Sequence, residues 1–170
     1  MRLFFALWPP AETARALAAW AREAQQGAGG RVTAEQTIHL TLAFLGEADA
    51  DKAIAAARRV RGEPFELPID TCRYWRHNNI VWVGPRAMSN ALKNLVGSLH
   101  RALKGEALVL EERPFAAHIT LVRKASAPAA LPDVPAVAWP VSEFVLVRST
   151  PAASGSRYEI VERFALRAGY

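Results

Sequence analysis

The sequence is poor in cysteine and in long apolar runs, and each shortage excludes a class of protein. Cys72 is the one cysteine among 170 residues, so the chain forms no intrachain disulfide and holds no thiolate cluster for zinc or iron–sulfur. A single thiol suits a reducing compartment, and we expect a cytoplasmic protein. The apolar run at residues 3–8 ends at two prolines and is far too short to span a bilayer. We interpret this run as a buried strand and expect no membrane association.

Glycine-rich nucleotide loops and nucleophile motifs are also missing. Neither a Walker loop nor a GxGxxG turn occurs, and Gly27, Gly29 and Gly30 follow a helical pattern rather than a strand, which excludes a dinucleotide fingerprint. The sequence has no motif for a nucleophilic serine or cysteine. It does have an excess of positively charged side chains, with a formal net charge of +5. That excess favours anionic partners such as phosphates or nucleic acid without identifying one.

Strand and helix patterns alternate along the chain, which predicts the α/β class and one domain over residues 1–170. Alternating apolar residues between turn signals predict strands, and apolar residues three or four apart predict helices. The predicted strands cover residues 2–8, 37–44, 65–75, 78–84, 115–124, 142–149 and 157–167, and the predicted helices cover residues 10–26, 49–61 and 87–104. The proline-rich residues 127–140 are predicted to form a surface loop.

One tetrapeptide occurs almost identically twice, as HLTL from His39 and as HITL from His118, 79 positions apart (118 minus 39). Because residues i and i+2 of a strand point to the same face, Thr41 shares a face with His39, and Thr120 shares a face with His118. Each strand can bury its apolar side and present an imidazole and a hydroxyl on the other. Each copy also lies in the strand that ends a similar unit of helix, linker and strand, which is compatible with a duplicated, two-lobed architecture.

Two imidazoles that face each other across a cleft suit acid–base chemistry at phosphorus. Imidazole titrates near neutrality, so one ring can accept a proton while the other donates one. The hydroxyls of Thr41 and Thr120 would hold non-bridging phosphate oxygens. Arg123 lies three positions beyond Thr120, and its fork of donors suits the same oxygens. We expect its charge to lower the pKa of His118 and to favour the proton-accepting form of that ring.

A structural role is the alternative for these histidines. Both His39 and His118 could be half-buried strand residues whose ring nitrogens bind backbone or hydroxyl partners. The two remaining histidines, His77 in a turn and His100 on a helix, are predicted to face solvent. A zinc site is disfavoured, because two histidines with threonine neighbours supply too few ligands. We therefore expect neither a metal ion nor another cofactor.

Aromatic residues near the motifs are candidates for contacts with a nucleobase. Phe44 falls on the apolar face of its strand, so core packing is predicted, whereas a bend at Gly46 would turn its ring into the cleft against a base. The turn sequence RYWR at residues 73–76 combines basic and aromatic side chains, a combination that suits base stacking. An ordinary polar hairpin is the alternative interpretation of that turn.

The quoted motifs resemble those of a known family. HLTLAFLG and HITLVR, with the opening MRLFFALWPP and the central IVWVGP, are similar to the two-histidine (2H) phosphoesterase superfamily. The closer resemblance is to the bacterial and archaeal RNA 2′,3′-cyclic phosphodiesterases, also called 2′-5′ RNA ligases, and it covers nearly the whole chain. It implies an α+β fold of two pseudo-symmetric lobes of mainly antiparallel sheet, with helices on the outer faces and the active-site cleft between the lobes.

The same resemblance implies an activity and residue roles. It implies metal-independent hydrolysis of an RNA 2′,3′-cyclic phosphate to a 2′-phosphomonoester. His39 would be the proton donor to the departing 3′ oxygen, and His118 the proton acceptor that activates water. Thr41, Thr120 and Arg123 would hold the phosphate, and Phe44 is the further candidate for substrate binding. The expected partner is RNA with a cyclic phosphate end, such as a tRNA fragment, or a cyclic nucleotide, and a monomer is expected.

Two other functions stay open at this point. The basic balance and the RYWR turn are compatible with a non-catalytic module that binds RNA ends or nucleotides. Within the enzyme class, 2′-5′ RNA ligation rather than hydrolysis could be the main activity. Salt-sensitive binding without product would indicate the binding module, and a comparison of forward and reverse rates would separate ligation from hydrolysis.

Overall fold

The computed structural model describes residues 1–111, 113–153 and 155–168. Within these ranges the chain forms three α-helices, one short 3₁₀ helix and ten strands. The helices are α1 (Ala11–Ala28), α2 (Ala50–Ala57) and α3 (Asn90–Gly105), and the 3₁₀ helix covers Glu35–Thr37. The strands are β1 (Arg2–Leu7), β2 (Arg31–Val32), β3 (Leu40–Glu47), β4 (Phe65–Leu67), β5 (Thr71–Trp75), β6 (Ile80–Gly84), β7 (Ile119–Arg123), β8 (Trp139–Val141), β9 (Glu143–Ala152) and β10 (Gly155–Ala165).

Eight of these strands form one antiparallel sheet. Its order is β10-β9-β1-β3-β7-β6-β5, and β2 pairs with β7. β4 and β8 form a separate antiparallel pair. The two motif-bearing strands, β3 and β7, are joined in the middle of the sheet by the residue pair Leu40 and Ile119. The α+β class with a mainly antiparallel sheet is therefore confirmed.

One face of the sheet carries the main core, and the helices cover it. Leu3, Phe5 and Leu7 of β1 point to this face and are fully buried, as the two-residue period of a strand predicts. α1 packs against β2 and β7, α3 packs against β3 and β4, and α2 packs against α3. The buried residues of α3 recur at helical spacing: Leu92, Leu95, Val96, Leu99 and Leu103. None of the described helices is both long and apolar enough to cross a lipid bilayer.

The opposite face of the sheet carries a smaller apolar cluster. Its buried members come from β1 and β9: Phe4, Ala6, Val145 and Val147. The partly buried rings of Trp8 and Tyr158 pack against them. Phe4 and Ala6 of β1 alternate with the three residues of β1 that point into the main core, so one strand packs on both faces of the sheet. The cluster lies beside the first tetrapeptide, where Phe4 and Trp8 contact His39.

Several predicted elements differ in extent from those observed. The strands predicted over residues 37–44 and 115–124 begin only at Leu40 and Ile119, so His39 and His118 each directly precede a strand. The strand predicted over residues 65–75 is divided into β4 and β5. Pro68 lies between them and has no N–H to donate to a sheet ladder. The helix predicted over residues 49–61 is shorter and ends at Ala57.

The proline-rich connector is less exposed than predicted. The surface-loop prediction for residues 127–140 is wrong at its end, because Trp139 belongs to β8 and is 1% exposed. The indole N–H of Trp20 on α1 also donates to the backbone carbonyl of Asp133 at 2.6 Å. Most of the connector is exposed as predicted, but its end contributes Trp139 to the core.

Candidate active site

The two tetrapeptides meet at the centre of the sheet. β3 and β7 run antiparallel and pair at the second residue of each tetrapeptide. The flanking residues therefore lie crosswise, with His39 beside Thr120 and His118 beside Thr41. All four side chains line one cleft of about 720 Å³, together with Arg123. The structure thus brings together the five polar residues that the sequence motifs indicate.

β3 contains a β-bulge at Leu42, the last residue of the first tetrapeptide. Thr41 and Ala43 pair with successive residues of β1, so Leu42 has no partner of its own. A bulge shifts the alternation of faces by one residue, and both Leu42 and Ala43 are buried in the main core. Phe44 is consequently turned to the cleft face and is 39% exposed. The core-packing prediction for Phe44 is therefore wrong, and the cause is this bulge rather than a bend at Gly46.

The second tetrapeptide has the same bulge at Leu121. Thr120 and Val122 pair with successive residues of β6 and leave Leu121 unpaired. Leu121 and Val122 are both buried. Arg123 therefore shares the cleft face with Thr120, although strict alternation over three positions would place them on opposite faces. Arg123 is the counterpart of Phe44, because each lies five positions beyond its histidine (123 minus 118, 44 minus 39).

The carbonyl of each bulged leucine accepts a hydrogen bond from a different kind of donor. The ring Nε2–H of His100, on α3, donates to the carbonyl of Leu42 at 3.0 Å. The backbone N–H of Thr33 donates to the carbonyl of Leu121 at 2.9 Å. The prediction that His100 faces solvent is therefore wrong, because this bond holds the ring half-buried against β3. His77 is exposed, as predicted.

His39 lies within a group of aromatic rings. Its Nδ1–H donates to the carbonyl of Thr37 at 2.7 Å. The ring stacks on Trp8, with centroids 5.0 Å apart and planes 5° apart. The rings of Phe4 and Tyr158 have their centroids at 5.1 Å and 5.5 Å. Because a carbonyl only accepts, Nδ1 carries the hydrogen, and Nε2 is the nitrogen that can exchange a proton with a ligand.

His118 is held in the same way by the other half of the sheet. Its Nδ1–H donates to the carbonyl of Ala116 at 2.8 Å. The ring of Trp75 lies 4.7 Å from it and the ring of Trp82 lies 6.2 Å from it, between centroids. Trp75 belongs to the RYWR sequence, so that segment does reach the site. Nε2 of His118 is again the nitrogen left for proton exchange.

Burial lowers the pKa of both imidazoles. The pKa of His39 falls to about 4, chiefly because burial disfavours the cation, and the charges of Arg123 and His118 lower it further. The pKa of His118 is lowered for the same reason, with added contributions from Arg123 and His77. The hydrogen bonds to backbone carbonyls raise both values in part. The expectation that Arg123 lowers the pKa of His118 is confirmed, but Arg123 lowers the pKa of His39 as well and so does not distinguish the two rings.

A second cavity of about 440 Å³ adjoins the cleft. The two share the residues Thr41, Asn78 and His118. The rings of Phe44 and Trp75 form part of its wall. An aromatic-lined cavity next to convergent polar groups suits a flat apolar ring such as a nucleobase.

Several residues that line the site carry no signal in the sequence. Trp8 and Tyr158 contact His39, Asn78 lies between the two cavities, and Arg31 lines the larger one. They come from the end of β1, from β10, from the turn after β5 and from β2. No spacing connects these segments to the tetrapeptides. Two of them had an indirect signal: Asn78 follows RYWR in the same turn, and Trp8 lies in the MRLFFALWPP segment of the family resemblance.

The cleft is cationic. None of its described lining residues is Asp or Glu, whereas Arg31 and Arg123 both face it. In the described part of the chain, no group of three or more His, Cys, Asp or Glu side chains is placed to hold a metal ion. A cavity with guanidinium, hydroxyl and imidazole groups suits a phosphate-containing ligand.

Comparison with known proteins gives matches over nearly the whole chain. The model of the family described as LigT like Phosphoesterase matches residues 7–82. The RNA 2′,3′-cyclic phosphodiesterase of Escherichia coli (strain K12) is 36% identical over 170 residues, which cover 97% of this chain and 96% of that protein. The crystal structure of E. coli LigT in apo form matches with a TM-score of 0.86 at 35% identity, over 98% of this chain and 97% of that one. The E. coli LigT structure complexed with 3′-AMP matches with a TM-score of 0.85 at 35% identity, over 97% of both chains.

Proposed function

Because the chain belongs to the LigT like phosphoesterase family, we propose that it is an RNA 2′,3′-cyclic phosphodiesterase. It hydrolyses the cyclic phosphate at an RNA end to a 2′-phosphomonoester, with one histidine as general base and the other as general acid. The observation that carries this proposal is that His39 and His118 line one cleft, each with Nδ1 bound to a backbone carbonyl. The activity named for the E. coli relative supports it.

The proposed reaction is an in-line displacement at phosphorus. Water attacks from the side opposite the leaving oxygen, so base and acid act on opposite sides of the phosphate. Nε2 of His118 takes a proton from the water as the new P–O bond forms. The P–O3′ bond breaks, and the Nε2–H of His39 gives its proton to O3′. The phosphate stays on O2′, and the two rings return to their starting states by exchanging a proton with solvent.

The acid role requires His39 to carry a proton at Nε2 when substrate is bound. In the protein alone its pKa is about 4, so the ring is neutral at pH 7. A phosphate anion beside the ring favours the imidazolium. The π face of Trp8, stacked on the ring, also stabilises a cation. Substrate binding and protonation of His39 are therefore coupled in this mechanism.

The remaining groups hold the substrate in place. The hydroxyls of Thr41 and Thr120 and the guanidinium of Arg123 bind the non-bridging oxygens, since all three line the cleft with the histidines. The base of the terminal nucleoside lies in the adjoining cavity against Phe44 and Trp75. Binding both parts at once keeps the ribose oxygens between the two imidazoles.

We also propose that residues 1–170 act as a single two-lobed domain and as a monomer. β10, β9, β1 and β3 form one half of the sheet, β7, β6 and β5 form the other, and one residue pair joins β3 to β7. α1 follows β1 in the chain but packs against β7 in the other half. Each half therefore depends on the other for its core. One thermal unfolding transition, and a monomer mass by light scattering, are the expected observations.

The function is tested by incubating the protein with adenosine 2′,3′-cyclic phosphate and with a short RNA bearing a cyclic end, with and without EDTA. ³¹P NMR identifies the phosphate isomer. The expected product is the 2′-phosphomonoester under both conditions, because the two imidazoles supply the proton transfers. A 3′ product, or loss of turnover in EDTA, contradicts the proposed chemistry. Salt-sensitive binding without turnover would instead indicate a binding module, and joining of tRNA halves faster than hydrolysis would indicate a ligase.

A further inference from the structure

Arg31 and Arg123 lie side by side on the cleft face of the sheet. They are direct partners in the antiparallel pairing of β2 with β7, so their side chains leave the sheet on the same face, about 5 Å apart at Cβ. Both line the cleft that contains the two histidines. Neither guanidinium forms an ion pair with a residue of the described part of the chain. Like charges directly opposite each other destabilise a sheet, so this pair needs an explanation.

The close approach of β2 to β7 is built into the backbone. Gly30 precedes Arg31 and has a φ of +79°, and a Cβ at that position would overlap the carbonyl oxygen of Arg123. Glycine is therefore required for the two strands to come together. On the other side of β2, the hydroxyl of Thr33 donates to the carbonyl of Thr120 at 3.0 Å. The segments on both sides of β2, at Gly30 and Thr33, thus fix the position of Arg31 against β7.

The charge of the cleft exceeds what one cyclic phosphate neutralises. The two guanidinium groups carry two positive charges, and none of the described lining residues is acidic. A 2′,3′-cyclic phosphate carries a single negative charge. The charge of the second arginine is neutralised only if the ligand carries a second anionic group. In an RNA strand that group is the phosphodiester on the 5′ side of the terminal nucleotide.

We propose that Arg31 binds this 5′ phosphodiester, so that the preferred substrates are RNA ends with at least two phosphates rather than cyclic mononucleotides. The inference depends on the proposed function, whose site it extends. It agrees with the shape of a nucleotide, because the base and C5′ leave opposite ends of the ribose. A base against Phe44 in one cavity directs C5′ towards the other end of the site, where Arg31 lies.

The test compares two dinucleotides, ApA with a 2′,3′-cyclic end and the same molecule with an uncharged methylphosphonate linkage. Wild-type kcat/KM should be about tenfold higher for the charged linkage, the lower end expected for a hydrogen bond to a charged group at an exposed site. In Arg31→Gln this ratio should fall to about one. Arg22→Gln, which removes a charge from the exposed face of α1, should keep the wild-type ratio. Arg31→Gln should also make KM for the charged dinucleotide less dependent on salt. The slope of log KM against log salt concentration should fall by about one unit.

The outcomes separate this inference from the function on which it depends. If wild type hydrolyses neither dinucleotide nor the cyclic mononucleotide, the proposed function fails. If wild type hydrolyses them but shows no preference for the charged linkage, the proposal of a second phosphate site is wrong, while the proposed function stands. An equal ratio in wild type and Arg31→Gln would show that Arg31 does not bind the 5′ phosphodiester. The wild-type comparison needs no variant, so it decides the point even if Arg31→Gln folds poorly.

Discussion

The two halves of the site share a backbone plan but differ in the side chain that the plan presents. In both, a histidine is bound through Nδ1 to the carbonyl two residues earlier, and a bulge at the fourth motif residue turns the sixth towards the cleft. In the first half that residue is Phe44, and in the second it is Arg123. The repeated backbone places two imidazoles in one cleft. Under the proposed function, the half with Phe44 binds the nucleobase and the half with Arg123 binds the phosphate.

The supports of the two bulges differ as well. His100, a side chain on α3, binds the first bulged carbonyl, whereas the backbone of Thr33 binds the second. A side-chain support can be removed by one substitution, and a backbone support cannot. Mutagenesis can therefore test, in the first half only, whether the bulge affects ligand binding.

Replacing either imidazole is expected to have the largest effect. His39→Ala and His118→Ala should each lower kcat on the order of 10²- to 10⁴-fold, because each removes one partner of the acid–base pair. Wild-type kcat/KM should peak below pH 6.5, because both pKa values are lowered and no protonated ring remains at higher pH.

The residual activities of these variants distinguish the two roles. His39→Ala should lose the decline on the alkaline side, since that decline reports the acid losing its proton. His118→Ala should lose the decline on the acidic side. The opposite pattern would exchange the two roles, and near-normal activity in either variant would exclude the two-histidine mechanism.

Phe44 in the first half occupies the position that Arg123 occupies in the second, so substitutions at the two positions should reduce kcat/KM to different extents. Arg123→Gln should lower kcat/KM for a cyclic mononucleotide by about 10- to 100-fold, the value of a hydrogen bond to a charged group. Phe44→Leu should raise KM only a few-fold, because it alters contact with the base and leaves the phosphate groups intact. Steady-state kinetics on the two purified variants measures both. Equal losses would mean that the two positions share one task.

The pH dependence of stability should also differ between the halves. The folded-state pKa of His39 is about 4 against 6.5 for an ordinary imidazole, so the unfolded chain binds a proton that the folded chain excludes as the pH falls from 6.5 towards 4. The free energy of unfolding should decrease in that window by on the order of 1 kcal/mol per pH unit, with no contribution from this ring above pH 6.5. Urea unfolding at several pH values should show this slope reduced in His39→Gln, and reduced less in His118→Gln. An unchanged slope in His39→Gln would contradict the burial of that ring.

The smallest expected effect concerns the support of the first bulge. His100→Leu removes the donor to the Leu42 carbonyl and should lower the free energy of unfolding by about 1–3 kcal/mol. Because the bulge directs Phe44, KM should rise a few-fold while kcat changes little, and His100→Gln, which keeps an N–H donor, should restore part of the affinity. Thermal unfolding and steady-state kinetics test both effects. A loss of stability with KM unchanged would leave His100 with a packing role alone.

Local patterns in the sequence were sufficient for most elements of the fold. The apolar run in β1 and the helical spacing in α3 depend on neighbours within a few residues, and both appear in the structure as predicted. The errors are at positions where a distant segment intervenes. Trp139 is buried because β8 pairs with β4, and His100 is half-buried because its ring binds a carbonyl of β3.

The sequence by itself indicated that each His–Thr pair faces one side of the sheet, because residues two apart in an extended segment share a face. Only the tertiary structure decided that Phe44 and Arg123 join them, since the bulges depend on which residues β1 and β6 leave unpaired. Only the tertiary structure, likewise, set Arg31 opposite Arg123, 92 positions away (123 minus 31). Strand pairing is a contact between segments far apart in the chain, and side-chain direction after a bulge follows from that pairing rather than from the residues nearby.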